Sequence, residues 1–242
     1  MALRGVPLAP GHGTGPAQIV DDGDADAWHR GPEGRIAVAR GADWPPTALR
    51  PPAVLGAVLA GRPPGRPPIA PFPIVGGIDA DLFVAGERVT VDGDRGAVEI
   101  AGVAETAVVT AFLERDDGRI LLLRRSAKVG SFRGHWAAVS GYLEDPTPEG
   151  QAVREIREET GIASTSLTLR STGPVVYARD GARIWAVHPF RFRVDRAEVA
   201  IDWEHTEFAW VDPSEIGRRT TVPKLDRAWA AVAGSAGERQ KG

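Results

Sequence analysis

The sequence predicts two parts, a small, mainly β domain followed by an α/β sandwich. Three observations carry this. Fourteen of the twenty prolines precede residue 75, so the composition changes sharply along the chain. The second part alternates β-rich apolar runs with stretches of helical spacing, the pattern of a layered α/β domain. Within it, Glu155, Glu158 and Glu159 stand at i, i+3 and i+4 in Arg154-Glu-Ile-Arg-Glu-Glu-Thr-Gly-Ile162. On a helix these carboxylates share one face within about a turn. Their mutual repulsion is costly unless a cation relieves it. An all-oxygen set suits a hard ion such as Mg²⁺ or Mn²⁺, and such ions suit phosphate chemistry.

The first part spans residues 1–102. Its short apolar segments include Arg35-Ile-Ala-Val-Ala-Arg, Ala53-Val-Leu-Gly-Ala-Val-Leu-Ala and Ile69-Ala-Pro-Phe-Pro-Ile-Val, with room for one helix. Arg62-Pro-Pro-Gly-Arg-Pro-Pro68 between them reads as an extended loop. Arg88 to Ile100 alternates apolar and polar residues around Asp-Gly-Asp-Arg-Gly, a hairpin signal.

The second part covers residues 103–233, and residues 234–242 read as a flexible tail. Ala107-Val-Val-Thr-Ala-Phe-Leu and Arg119-Ile-Leu-Leu-Leu-Arg are strands joined by a turn at Arg115-Asp-Asp-Gly. The carboxylate helix follows a strand end and loop, and Pro148 suits its first turn. Further strands are expected at 167–170, 174–179, 183–194 and 208–211. Asp212-Pro-Ser-Glu starts a short helix, and Lys224 to Ala233 repeats apolar residues at helical spacing.

Composition bounds the function. Of 242 residues, 43% are hydrophobic and 25% charged, as in a soluble globular chain. The net charge of -3 gives no support for an extended nucleic-acid or membrane surface. The absence of cysteine excludes disulfides and thiolate metal sites and fits a reducing compartment. The first ten residues lack the apolar core of a signal peptide, and no run reaches the length of a membrane span. The expectation is a cytoplasmic protein.

The stretch from Gly141 to Ile162 resembles the signature of the Nudix hydrolases, G-x5-E-x7-R-E-U-x-E-E-x-G-U with U aliphatic. Arg154, Glu155, Ile156, Glu158, Glu159, Gly161 and Ile162 match its second half. Gly134-His-Trp136-Ala-Ala-Val-Ser140-Gly141 is similar to the family's lead-in, with Val139 and Ser140 replacing Pro and Gly. Twelve residues separate Gly141 from Arg154 where the family has thirteen, and Pro146 falls at the loop Glu position. Glu144 or Asp145 could supply that carboxylate. Glu204, six residues before Trp210, fits a late acidic position of the family, with Glu207 in reserve.

The resemblance implies an α/β/α sandwich with a mixed sheet and a pyrophosphohydrolase that uses Mg²⁺ or Mn²⁺. It implies Glu155, Glu158, Glu159 and Glu204 as metal ligands, with the backbone carbonyl of Ser140 as a further one. Arg154 would orient the glutamates, and Glu204 would act as extra ligand or general base. The substrate implied is a small-molecule nucleoside diphosphate derivative. A nucleotide sensor that binds with little or no catalysis is the alternative, and a homodimer is among the assemblies left open. Arg124 and Arg125 could meet substrate phosphate or form an exposed pair, and His135 and Trp136 read as structural. An isolated Arg-Glu-rich helix is usually a solvated face, but the ordered lead-in and Gly-Ile ending argue against that here.

The first part resembles the swivelling domain of phosphoenolpyruvate-utilising enzymes through residues 36–44, 54–60 and 86–100. Where that family carries its phosphorylated histidine, this chain has Gly61-Arg-Pro-Pro-Gly-Arg-Pro-Pro with no histidine. The resemblance therefore implies a domain that has lost phosphotransfer.

Overall fold

The computed structural model describes residues 2–22, 24–41, 43–46, 48–61, 69–195 and 198–234. The proline loop at 62–68 and residues 235–242 of the expected tail lie outside them. The chain divides into two compact units, Met1–Ala104 and Glu105–Gly242. Among the described residues no helix is long and apolar enough to cross a membrane.

The described residues of the first unit form eight strands: β1 (Leu3–Arg4), β2 (Val6–Ala9), β3 (His12–Val20), β4 (Arg35–Ala39), β5 (Val54–Leu59), β6 (Ile74–Gly76), β7 (Arg88–Asp92) and β8 (Ala97–Ile100). Their order is β1-β8-β7-β3-β4-β5-β6-β2. The centre, β3 to β6, is parallel. Parallel strands are covered on both faces, which is why β4 and β5 are continuous apolar runs and not alternating ones. Loops, not α-helices, cover one face: Trp28, Leu49 and Phe72 pack on Ala37, Ala57 and Leu59. The described residues here form only two 3₁₀ turns, Ala25–Trp28 and Ala80–Leu82, in place of the helix allowed from sequence.

Arg35 fastens the covering loops. It is buried and donates to the carbonyls of Pro32, Ala53 and Trp28 at 2.8–2.9 Å. The expected hairpin is present, with Asp92 opposite Ala97 in β7 and β8.

The second unit carries β9 (Ala104–Glu114), β10 (Ile120–Arg125), β11 (Trp136–Ala137), β12 (Val139–Tyr142), α1 (Pro148–Thr160), β13 (Leu167–Thr172), β14 (Val176–Asp180), β15 (Arg183–Val194), β16 (His205–Val211) and α2 (Leu225–Ala233). Its sheet runs β11-β10-β9-β15-β13, with β12 on β9, β14 on β15 and β16 on β10. The period of two sorts the strand residues between two helical layers. Val109, Ala111, Leu113, Leu121 and Leu123 meet Ala152 and Ile156 of α1. Phe112, Ile120 and Leu122 face the other way and meet Leu225, Ala228 and Val232 of α2. This is an α/β/α sandwich.

The short helix expected after Asp212 is a 3₁₀ segment, Pro213–Arg218, closed by a capping box between Asp212 and Glu215.

Candidate functional site

Helix α1 begins where its sequence says it should. The Thr147 hydroxyl accepts from the Gly150 N–H at 3.2 Å, and Pro148 fills the first turn, where no N–H is needed. It stops at Gly161, whose φ of 70° is left-handed and whose N–H caps the Arg157 carbonyl. Between these ends, burial of Ala152 and Ile156 against the sheet fixes the rotation of the helix. Burying the Ile156 side chain alone stabilises the fold by about 1.5–3 kcal/mol. With that face inward, Glu159 lies at the buried edge, Glu155 is half-buried and Glu158 is exposed.

Strand β12 approaches α1 very closely. A Cβ on Gly141 would sit 1.9 Å from Glu155 Oε1, so only glycine admits the carboxylate. Gln151, one turn before Glu155, donates from Nε2 to the same oxygen at 2.6 Å. The Ser140 N–H lies 3.4 Å from Glu159 Oε1. Arg154, expected to orient the glutamates, instead donates to the loop carboxylate of Asp145 at 2.5 Å. Of the two loop acids beside Pro146, Asp145 pairs with Arg154, while Glu144 is exposed and lines the cleft.

A cleft of about 270 Å³ opens beside β12 and α1. Glu144, Glu155, Glu158 and Glu204 line it, together with Ser140, Gly141 and Arg125. Glu204 comes from the turn before β16, where its N–H is capped by Asp202 Oδ1 at 3.1 Å. Phe132, Tyr142 and Trp185 form an aromatic wall of the same cleft, with the Phe132 and Tyr142 ring centroids 6.0 and 6.1 Å from that of Trp185. Phe132 has a φ of 49°, an outlier for a bulky residue, and its ring also meets His135.

The remaining candidates separate clearly. Glu207 lies away from the cleft lining and pairs with Arg124 at 2.8 Å. Arg125 reaches the cleft, and its Nε donates to the Ser131 carbonyl. Trp136 packs on the α2-side core under the Arg219 guanidinium, 4.7 Å away. The His135 ring makes a hydrogen bond with the Arg133 carbonyl.

The electrostatics carry the mark of crowded acids. Burial, then the nearby Glu155 charge, pushes the Glu159 carboxyl well above the usual range, and the Ser140 N–H only partly opposes this. Burial also raises Glu155, with the Gln151 bond opposing and Glu158 and Glu204 adding to the rise. The Arg154 bond holds Asp145 below its ordinary value. His205, buried behind the site, is lowered by burial and opposed by Asp202. Its Nδ1 lies 3.0 Å from Asp202 Oδ1, so that nitrogen carries the proton, because a carboxylate only accepts. Its Nε2 lies 3.7 Å from Glu159 Oε2, which has no hydrogen-bond partner among the described residues.

A divalent cation fits this set. The donors are all carboxylate oxygens, and the mutual repulsion of Glu155, Glu159 and Glu204 favours any positive charge bound beside them. Glu155, Glu158 and Glu204 line the cleft, whereas Glu159 is buried and is not part of its lining, and the carboxylates do not meet at a point. Among the described residues, three ligand atoms lie within 4.8 Å of one another at His12, Asp92 and Asp94 of the first unit. There the two imidazole nitrogens face different carboxylates, at 3.1 and 3.6 Å. Asp92 Oδ1 is also occupied by the N–H groups of Asp94 and Arg95. Chemistry and burial favour the glutamate cleft; the His12 cluster is a hairpin clasp.

Sequence reasoning missed Gln151, Asp202, His205 and the aromatic wall. Gln151 and His205 look like ordinary residues in one dimension, and the aromatic residues come from separate strands and a loop.

Comparison with known proteins bears on the second unit. The family model for the NUDIX domain matches residues 104–232. A "MutT-like protein" of Streptomyces ambofaciens is 35% identical over 112 residues, 46% of this chain and 66% of the relative. The match thus spans just under two thirds of that relative's length. The crystal structure of a MutT protein from Methanosarcina mazei Go1 is 23% identical with a TM-score of 0.46, covering 53% of this chain and 92% of that one. The solution structure of the E. coli ORF135 protein is 26% identical with a TM-score of 0.43, covering 55% and 91%.

Proposed function

The chain belongs to the NUDIX family, and on that premise we propose that its second unit is a pyrophosphohydrolase acting with Mg²⁺ or Mn²⁺. The substrate is a nucleoside diphosphate linked to another group, and water attacks one phosphorus of the diphosphate. One observation carries the reading: a single cleft is lined both by the carboxylates of Glu144, Glu155, Glu158 and Glu204 and by the rings of Phe132, Tyr142 and Trp185. The first suits metal-bridged phosphates and the second a planar, apolar base.

Glu155, Glu158, Glu159 and Glu204, with the Ser140 carbonyl, are the oxygen donors in this reading. A bound metal supplies Lewis acidity toward the phosphoryl oxygens and lowers the pKa of water. Glu204 lines the cleft with the α1 glutamates, as an added ligand or as the base that takes the proton of water. Arg125 offers the positive charge nearest the phosphates. Arg154, tied to Asp145, holds the loop that carries Glu144. Trp185 and Phe132 offer apolar rings for the base in the same cleft. A cytoplasmic setting, and a small-molecule partner in place of a membrane or an extended nucleic acid, belong to the same reading.

The test is phosphate-coupled turnover on a panel of ADP-ribose, dinucleotide polyphosphates, nucleotide sugars and damaged nucleoside triphosphates, with Mg²⁺ or Mn²⁺. Glu158→Gln is the control. Metal-dependent turnover lost in the control supports the hydrolase. Stabilisation by a panel member and metal, without turnover, turns the reading to a nucleotide sensor.

A further inference from the structure

We propose that Gln151 is the positioning residue of this site, joining the shortened loop to the Glu155 carboxylate and so fixing two acidic side chains of the cleft. The inference rests on the metal-dependent reading of the cleft given above.

Gln151 is only 2% exposed, so both ends of its amide must find partners inside the protein. They do. Its Oε1 accepts the N–H groups of Glu144 at 3.1 Å and Asp145 at 2.9 Å. Its Nε2 donates to Glu155 Oε1 at 2.6 Å. These partners settle the orientation of the amide. Turned over, it would set its N–H group against two backbone donors and its oxygen against a carboxylate, losing every bond.

The consequence for Glu155 is directional. Its Oε1 is held between the Gln151 amide and the backbone of Gly141, where not even a Cβ fits. Its Oε2 takes no hydrogen bond from the described residues and remains for the cleft. A half-buried carboxylate on a flexible stem is thereby reduced to one presented oxygen. Metal sites depend on such outer contacts, whose loss typically costs about 10–100-fold in affinity or activity.

The consequence for Glu144 passes through the backbone. Its N–H is bound to the same amide, so its side chain leaves the loop at a set place on the cleft lining. With twelve residues between Gly141 and Arg154, the loop carries Pro146 at the position of the expected Glu. Proline supplies neither a carboxylate nor an N–H, and a side chain from the helix provides the tie instead.

Gln151→Met keeps the volume and removes all three bonds. Mn²⁺ affinity is measured calorimetrically on wild type and variant with the metal alone, and kcat and KM on any substrate found. The expected result is Mn²⁺ binding about tenfold weaker and kcat about 10–100-fold lower, with KM changed much less. A folded variant that binds Mn²⁺ within twofold of wild type overturns the proposal while leaving the metal site intact. Wild type that binds no Mn²⁺ overturns the metal reading and this inference together.

Gln151→Glu covers a Met variant that does not fold, because it keeps the oxygen that accepts both loop N–H groups and loses only the donor to Glu155. Its carboxylate repels Glu155 from the Gly141 contact, so Mn²⁺-induced thermal stabilisation should fall below half that of wild type. Were Gln151 only a loop tie, the added charge would leave that stabilisation equal or greater, which overturns the proposal.

Discussion

Gly141→Ala puts the closest contact of the site to a direct test. The added Cβ would lie 1.9 Å from Glu155 Oε1 and 2.0 Å from its Cδ, against an ordinary contact near 3.4–4 Å. The carboxylate must therefore retreat by about 1.5 Å. The Gly141 backbone is not in the left-handed region, so alanine itself adds no strain there. What is lost is the 2.6 Å bond from Gln151, with charge-assisted bonds worth about 1.5–3 kcal/mol. Part of that returns, because the displaced carboxylate can turn to water in the cleft, so the net loss of stability is about 1 kcal/mol. Melting should fall by only a few degrees. Activity should suffer more, about 10–100-fold in kcat, because displacing Oε1 also swings the Oε2 that Glu155 presents to the cleft. Paired melting curves and Mg²⁺-dependent turnover separate the two effects. Turnover within twofold of wild type would refute the claim that the Gly141 contact sets Glu155.

Four further expectations follow from the same geometry. Glu204→Gln should lower turnover at least tenfold, while Glu207→Gln, whose carboxylate pairs with Arg124, should stay within twofold; steady-state rates on one substrate decide it. Without divalent metal, the raised Glu159 carboxyl makes the folded state bind more protons, so its contribution to stability falls as pH rises through the unfolded value of 4.5 toward the folded one. Buried His205 acts in the opposite sense, losing stability as pH falls below 6.5, so the difference between wild type and Glu159→Gln across urea melts at several pH values isolates the glutamate. The variant should gain most at high pH, and a pH-independent difference would count against the assignment. Thr147→Ala removes the N-cap of α1 and should cost about 1 kcal/mol, and Ile156→Ala about 2–5 kcal/mol, both read by denaturant titration.

The sequence alone disclosed whatever depends on neighbours along the chain. Thr147, Pro148 and Gly161 bound a helix by local hydrogen bonds and backbone angles. Within it the spacing of Glu155, Glu158 and Glu159 states a shared face before any fold is known. The hairpins at Arg115–Gly118 and Asp92–Gly96 are local in the same way. The central strands of the first unit were harder to read, because parallel strands buried on both faces lose the alternation that marks a strand.

Other features depended on where distant segments meet. That Asp145 and not Glu144 takes Arg154 follows from the path of a loop. That Glu204 reaches the cleft while Glu207 pairs with Arg124 follows from the register of β16 on β10. Gln151 is one amide on a helix until packing brings two loop N–H groups and a carboxylate to its ends. Spacing in a helix is fixed by 3.6 residues per turn and can be read in one dimension. The partner of a buried polar atom is fixed by long-range packing, so only the folded chain decided which acids the cleft presents and what holds them there.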